Sequence, residues 1–534
     1  MTPRRFAALL AAPLLLAPGG AFAQHDHAHA PAEKVGTVAF ANSCTPAAQA
    51  DLTRGVAMLH SFWFPAGEAA FRAALAKDPG CAVADWGIAS TLMLNALAGV
   101  GATPKGAELA QAAIEHGRAT GARTQRERDY IEAVAAYYQD FASRPERDRQ
   151  ASRAKAFEAL AARYPEDDEA QIFSALYIAG TQSQADQTYA AYARSAAILE
   201  KEFAKYPDHP GVAHYLIHVY DAPPIAAQGL TAARKYAGLA PDAPHALHMP
   251  SHIFTRVGAW TDSASTNQRS FAVASRAGDF GEAWHASDYA VYAELQLGRD
   301  AAARAAFDAV RQVKAPGPAP AAAAYAMAAI PARLALERGD WPAAQALVPP
   351  AGSAAYAPEA ITTFARALGA ARAGDLAAAG QGAAALAAEQ QRLTEAGNAY
   401  WAREVAVQQK AVAAWIAFAQ DRKDAGLALM REAADLEDRN EKHIVTPGRV
   451  LPARELLGDM LLEAGQPAAA LREYEASQQR EPNRFRGFAG AAKAAAAAGD
   501  AEKAAAHYRK LLQLTEAADT PRPEIALAKA YLAK

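Results

Sequence analysis

Two cysteines in 534 residues exclude a cysteine-ligated zinc module and a disulfide-stapled miniprotein. Excess positive charge is missing too. The 54 Lys and Arg stand against 57 Asp and Glu, a formal net charge of −3, which excludes a nucleic-acid binder built on a broad basic field. Beyond the N-terminal run, no segment offers about 20 uninterrupted apolar residues, so no membrane span is expected. Several enzyme signatures are absent as well. There is no Gly-x-Ser-x-Gly elbow and no phosphate loop ending in Gly-Lys-Ser/Thr, the cysteines form no Cys-x-x-Cys pair, and Gly99-Val100-Gly101 lacks the third glycine and preceding strand of a dinucleotide fingerprint. Apolar material is plentiful at 52%, which excludes disorder throughout.

The N-terminus has the layout of a secretory signal peptide over residues 1–23: Arg4 and Arg5, an apolar run from Phe6 to about Pro18, and Ala21-Phe22-Ala23. The mature chain is therefore expected in the periplasm or secreted, with Sec and twin-arginine export both open. Residues 24–43 read as a His-containing unstructured tail, in which His25, His27 and His29 could hold Cu²⁺ or Zn²⁺ loosely. An oxidising compartment would permit one Cys44–Cys81 bridge, two separate thiols being the alternative.

From about Pro46 the chain alternates Ala, Leu, Glu, Arg and Lys at helical spacing, with breaks at Gly or Pro and almost no strand-like alternation. An all-α fold is expected. Gly465, Ala470 and Tyr474 recur 34 residues later as Gly499, Ala504 and Tyr508, and Gly55, Phe71, Pro79 share the internal spacing of Gly458, Tyr474, Pro482. That period, with small residues at helix crossings, an aromatic in the second helix and a closing proline, resembles the tetratricopeptide repeat (TPR) family. The resemblance implies a right-handed superhelical solenoid of about ten to thirteen helix pairs, each burying its neighbour's apolar face. An N-terminal array with a His-rich groove is expected at 44–313, a Pro/Ala linker at 314–324, middle helical repeats at 325–440, a loop at 441–452 and C-terminal repeats at 453–534.

Histidine carries the chemistry. Six of the 14 lie between 209 and 252, namely His209, His214, His218, His245, His248 and His252. His214 and His218, spaced i, i+4, share one helix face, and His248 and His252 repeat them 34 residues on. The stripe Gly211, His214, His218, Asp221 continues as His245, His248, His252, Thr255 and then as His285, Asp288, Tyr292, Leu295. In TPR proteins that side of the first helix faces the concave groove. The resemblance thus implies a hollow lined by His214, His218, Asp221, His245, His248, His252, His285, Asp288 and Tyr292.

Imidazole pairs on adjacent helices suit Zn²⁺, Cu²⁺ or Ni²⁺, with His214, His218, His248 and His252 as ligands and Asp221 completing the shell. The same rings could instead hydrogen-bond to one another, to aspartates and to carbonyls freed at Pro250, or touch an organic or peptide ligand. His214 to His218 has the spacing of a zinc peptidase helix, but Tyr215 stands where the water-activating glutamate belongs, leaving Asp221 or Asp288 as the base. The seven tryptophans read as core anchors, His60 as packed at a helix end, and His116, His443 and His507 receive no role.

The strings LHSFWF (59–64), HPGVAHYLIHVYD (209–221), HALHMPSHIF (245–254), PARELLGDML (452–461) and EPNRF (481–485) are similar to those of a group of exported bacterial TPR proteins. That resemblance implies fold and export and supplies no activity. The function expected is a non-enzymatic exported scaffold that binds a protein, peptide or small ligand in the His-lined groove. The alternatives are a zinc- or copper-binding protein using the same histidines and a metal-dependent hydrolase. No catalytic residue is assigned.

Overall fold

In a computed structural model the described residues are 33–99, 101–315, 317–350 and 357–534, and helix follows helix from Pro46–His60 to Pro523–Leu532. The expected signal peptide and the His25–His29 motif lie outside them. The chain is an all-α solenoid of stacked, TPR-like helix pairs, and its packing shows why the period matters. Phe71, on Phe64–Lys77, is wedged between Gly55 of the preceding helix and Gly87 of the next; a Cβ at Gly55 would come within 2.8 Å of the ring, and one at Gly87 within 2.5 Å. Tyr474 sits the same way between Gly458 and Gly490. One aromatic thus fills two glycine notches, which locks successive pairs together. The turns recur as well. Gly339 and Gly374 take left-handed φ of 65° and 89° at helix ends, and the aspartates after them cap the next helices by accepting the N–H of Ala343 and Ala378.

One part differs from the sequence expectation, and two more add to it. Residues 34–43, assigned to an unstructured tail, pack against the solenoid. Val35, Val38 and Phe40 are buried, Phe40 stacks on Trp86 at 5.0 Å, and the Lys34 N–H donates to Asp242. Their apolar side chains override the polar composition of the residues before them. The segment 441–452, expected as a loop, is non-helical and mostly buried, as Lys442, His443, Thr446 and Leu451 show. The solenoid also closes on itself: Trp260 donates to the Asn483 carbonyl at 2.7 Å, and Asp300 accepts from Thr520 at 2.7 Å and from Arg522 at 3.0 Å.

Cys44 and Cys81 are joined by a disulfide that ties the entry segment to the turn after Phe64–Lys77. Their sequence separation of 37 makes the bridge worth about 4 kcal/mol in the chain-entropy description. Cys44→Ser/Cys81→Ser should lower the urea unfolding free energy by about that amount; a loss under about 1 kcal/mol would show that the unfolded chain gains little freedom.

Glu437, on Lys423–Asp438, anchors the exit of the buried segment by accepting the Ala453 N–H at 2.8 Å. Burial pushes its carboxyl up to about 8, against the pull of Arg449. The native state therefore holds a proton that the unfolded chain has released, and this contribution to stability is lost as pH rises from about 4.5 through 8. Glu437→Gln should flatten the decline in urea midpoint between pH 5 and pH 8; an unchanged slope would mean that the carboxyl is already ionised at pH 5.

Candidate functional site

Three helical stretches build the histidine core. His209 caps Pro210–Val219 through Nδ1, which accepts the Val212 N–H at 3.3 Å, and the helix then carries His214 and His218 inward. Pro250 interrupts the next stretch, leaving Pro244–His248 with His245 and His248, and Pro250–Arg256 with His252. Phe280–Gln296 supplies His285. The rings converge into two adjoining groups. His214, His218 and His245 form one, with centroids 4.8 Å apart for 214–218 and 5.2 Å for 214–245; His248, His252 and His285 form the other, at 4.9 Å for 248–252 and 4.3 Å for 248–285. Centroid distances of 5.8 Å for 218–252 and 5.7 Å for 245–248 join the groups.

The outer ring nitrogens are committed. His214 Nδ1 lies 2.6 Å from the His60 carbonyl, His245 Nδ1 3.1 Å from Glu282, His248 Nδ1 2.7 Å from Asn267 Oδ1, and His252 Nδ1 2.9 Å from Asp221. Each of these partners accepts, so each Nδ1 carries the proton and each Nε2 presents a lone pair. Asn267 is held in that orientation because its amide donates to the Ser263 carbonyl at 2.7 Å. His214 Nε2 can still accept from His218 Nε2 at 3.0 Å. His248 and His252 have no such escape: their Nε2 atoms stand 3.0 Å apart with a lone pair on each. His245 Nε2 and His285 Nδ1 are buried without a hydrogen-bond partner among the described residues.

Burial dominates the electrostatics. It drives the His214, His218 and His248 imidazoles well below their ordinary value, with neighbouring imidazoles adding to the effect, and it lowers His252 against the pull of Asp221. Burial would raise Asp221, but Lys442 and Arg256 outweigh it and hold the carboxyl well below the usual range. Aromatic rings enclose the histidines. Phe62 lies 4.5 Å from His214 and 5.7 Å from His245, Tyr236 stacks on His214 at 5.2 Å, and Tyr289 meets His248 edge-on at 4.7 Å.

The expected open groove is not what the rings line. Residues 441–452 fill the hollow: Lys442 Nζ bonds Asp221 at 3.0 Å, and the Tyr289 hydroxyl donates to the carbonyls of Ile444 and Thr446 at 3.1 and 3.0 Å. Asp221 accepts from His252 as well as from Arg256 and Lys442, so it supports a ring and is no free base. Asp288 and Tyr292 leave the histidines altogether. Asp288 pairs with buried Arg333 at 2.9 Å, and Tyr292 bonds Glu481 at 3.0 Å and Arg484. The stripe continues along the helix, but Arg333 from the helix Ala321–Leu336 and Arg484 from just before Phe485–Ala497 meet its later members.

His60 has more to do than fill a helix end. Its Nε2 bonds Glu169 at 2.8 Å, where His209 Nε2 also arrives at 3.1 Å, and burial's upward push on that carboxyl is outweighed by the two imidazoles, which lower it. Because His209 Nδ1 accepts a backbone N–H, its Nε2 keeps a proton, and this trio is satisfied by hydrogen bonds alone. A cavity of about 690 Å³ opens beside it, lined by Tyr164, Pro165, Glu169, Tyr206, Pro207 and His209. Asn267, Glu282, Glu169 and Lys442 escaped the sequence reasoning, and no local signal marks them.

Fold and site together define a helical-repeat protein with a buried polyhistidine core. No family model and no curated protein matches the chain. Among solved structures, yeast Tom70 is similar at 9% identity over 91% of this chain and 96% of that one, with a TM-score of 0.25. The Naa15 complex with Naa10 bound to HypK-THB is similar at 15% identity over 90% of this chain and 70% of that one, with a TM-score of 0.19. At these TM-scores neither likeness carries an argument about this chain.

Among the described residues, no helix is long and apolar enough to cross a membrane.

Proposed function

We propose that this chain is an exported metal-binding solenoid that holds transition-metal ion in its buried imidazole core. The observation that carries the reading is the His248–His252 contact, in which two lone pairs face each other at 3.0 Å. Two such nitrogens repel unless a cation lies between them. A proton there creates a buried imidazolium, which is costly. A metal ion about 2.0–2.1 Å from each nitrogen uses both lone pairs and leaves room for a third ring. The outer bonds to a carbonyl, an amide oxygen and two carboxylates are the supports that fix ligand tautomers in metal sites. Zn²⁺ and Cu²⁺ both suit an all-imidazole shell. Export is supported by the Arg4-Arg5 leader pattern, and the disulfide fits an oxidising compartment.

Protein purified without a His tag or chelators should carry Zn or Cu or take it up on loading. Less than about 0.2 equivalents after loading overturns the reading.

A second reading, an exported scaffold that binds a peptide or small ligand, is favoured by the cavity between Tyr164 and Tyr206. Tyr206→Ala should then weaken partner capture while leaving metal content unchanged. A hydrolytic role gains nothing from the site, since both Asp221 and Asp288 are held in ion pairs.

A further inference from the structure

We infer that the imidazole core is built for two ions side by side, three rings to each, and that its cargo is copper. The inference rests on the metal-binding reading above. Its first support is the way the six histidines divide. His214, His218 and His245 offer ligand atoms within 4.8 Å of one another, as do His248, His252 and His285, and no histidine belongs to both sets. A single ion held by His214, His218, His248 and His252 would leave His245 Nε2 and His285 Nδ1 buried and unpartnered. Two ions give both rings a task. The sets also share a wall, since His245 lies 5.7 Å from His248 and His218 lies 5.8 Å from His252, centroid to centroid.

Charge selects the cargo. Every ligand is a neutral imidazole. Two carboxylates back the rings: Asp221, which is answered by Arg256 and Lys442, and Glu282 behind His245. Two divalent ions would bring four positive charges into this buried site, whereas two Cu⁺ bring two, and uncompensated buried charge is expensive. Copper also heads the affinity order of divalent ions at nitrogen sites, so the same rings retain it when oxidised.

The test uses full-length untagged protein, loaded anaerobically with Cu⁺, desalted and assayed for total copper. Wild type should hold two equivalents, and His214→Leu/His245→Leu and His248→Leu/His285→Leu one each, with circular dichroism confirming that both variants are folded. In Cu²⁺-loaded wild type, coupling between the ions should make the integrated electron paramagnetic resonance signal smaller than total copper, while each variant should give its full signal. One equivalent in wild type, or a full uncoupled signal from two, overturns the paired arrangement and leaves the metal-binding reading standing. No uptake of Cu⁺, Cu²⁺ or Zn²⁺ overturns both. Two equivalents of Cu⁺ displaced by equimolar Zn²⁺ overturns the choice of copper.

Discussion

His214→Leu/His248→Leu should abolish the rise in thermal stability that the proposed metal would give the wild-type protein. The pair removes one ring from each trihistidine group, so the outcome does not depend on how many ions are held. An ion that binds only the folded chain stabilises it by about 4 kcal/mol at 1,000 times the dissociation constant. In the variant that increment should vanish, with affinity falling by more than the roughly 10–100-fold that loss of an outer partner costs. The comparison is between loaded and metal-free forms of the same variant, because His214→Leu also strips the His60 carbonyl of its donor and lowers stability whether or not metal is present. A variant that keeps the full increment would show that these imidazoles are not ligands. Asp221→Asn makes a useful contrast: it weakens the support of His252 without removing a ring, and its effect should be the smaller one.

Much of this was legible because repeats impose register. The 34-residue displacement of His214 and His218 onto His248 and His252 reappears as two pairs with the same Nε2–Nε2 distance of 3.0 Å. Gly55, Phe71, Gly458 and Tyr474 mark helix crossings for the same reason. The division of the rings was not legible. His245 and His248 share the short helix Pro244–His248, yet His245 packs toward His214 while His248 meets His285, and spacing alone does not show that parting. Nor could a local pattern show that Lys442 lies on Asp221, 221 positions away, or that the segment around it fills the hollow. Asp288 and Tyr292 continue the stripe, but the helix Ala321–Leu336 sets Arg333 against Asp288, and the return of the C-terminal part sets Arg484 against Tyr292.

That return is fastened at Arg484 as well as at Trp260 and Asp300, and Arg484→Ala should cost about 3–5 kcal/mol, the range for breaking a buried ion pair from one side. Arg484 is fully buried; it donates to Glu455 at 2.7 and 3.1 Å, to Glu337 at 2.7 Å and to the Tyr292 hydroxyl. Alanine strands two carboxylates in the interior and cuts the tie between the helix Phe485–Ala497 and the middle of the solenoid. Burial already pushes the Glu455 carboxyl up against the pull of Arg484, so without the arginine it should take a proton more readily. The deficit of the variant should therefore shrink as pH falls from 8 to 5, because the unfolded chain gains no matching proton in that window. Urea unfolding of both proteins at the two pH values measures this directly. Arg484→Met combined with Glu337→Leu and Glu455→Met removes all three charges at similar volume and should recover most of the loss. A single-variant cost under about 1 kcal/mol would mean that water reaches the two carboxylates and that the closure is fastened elsewhere, at Trp260 and Asp300.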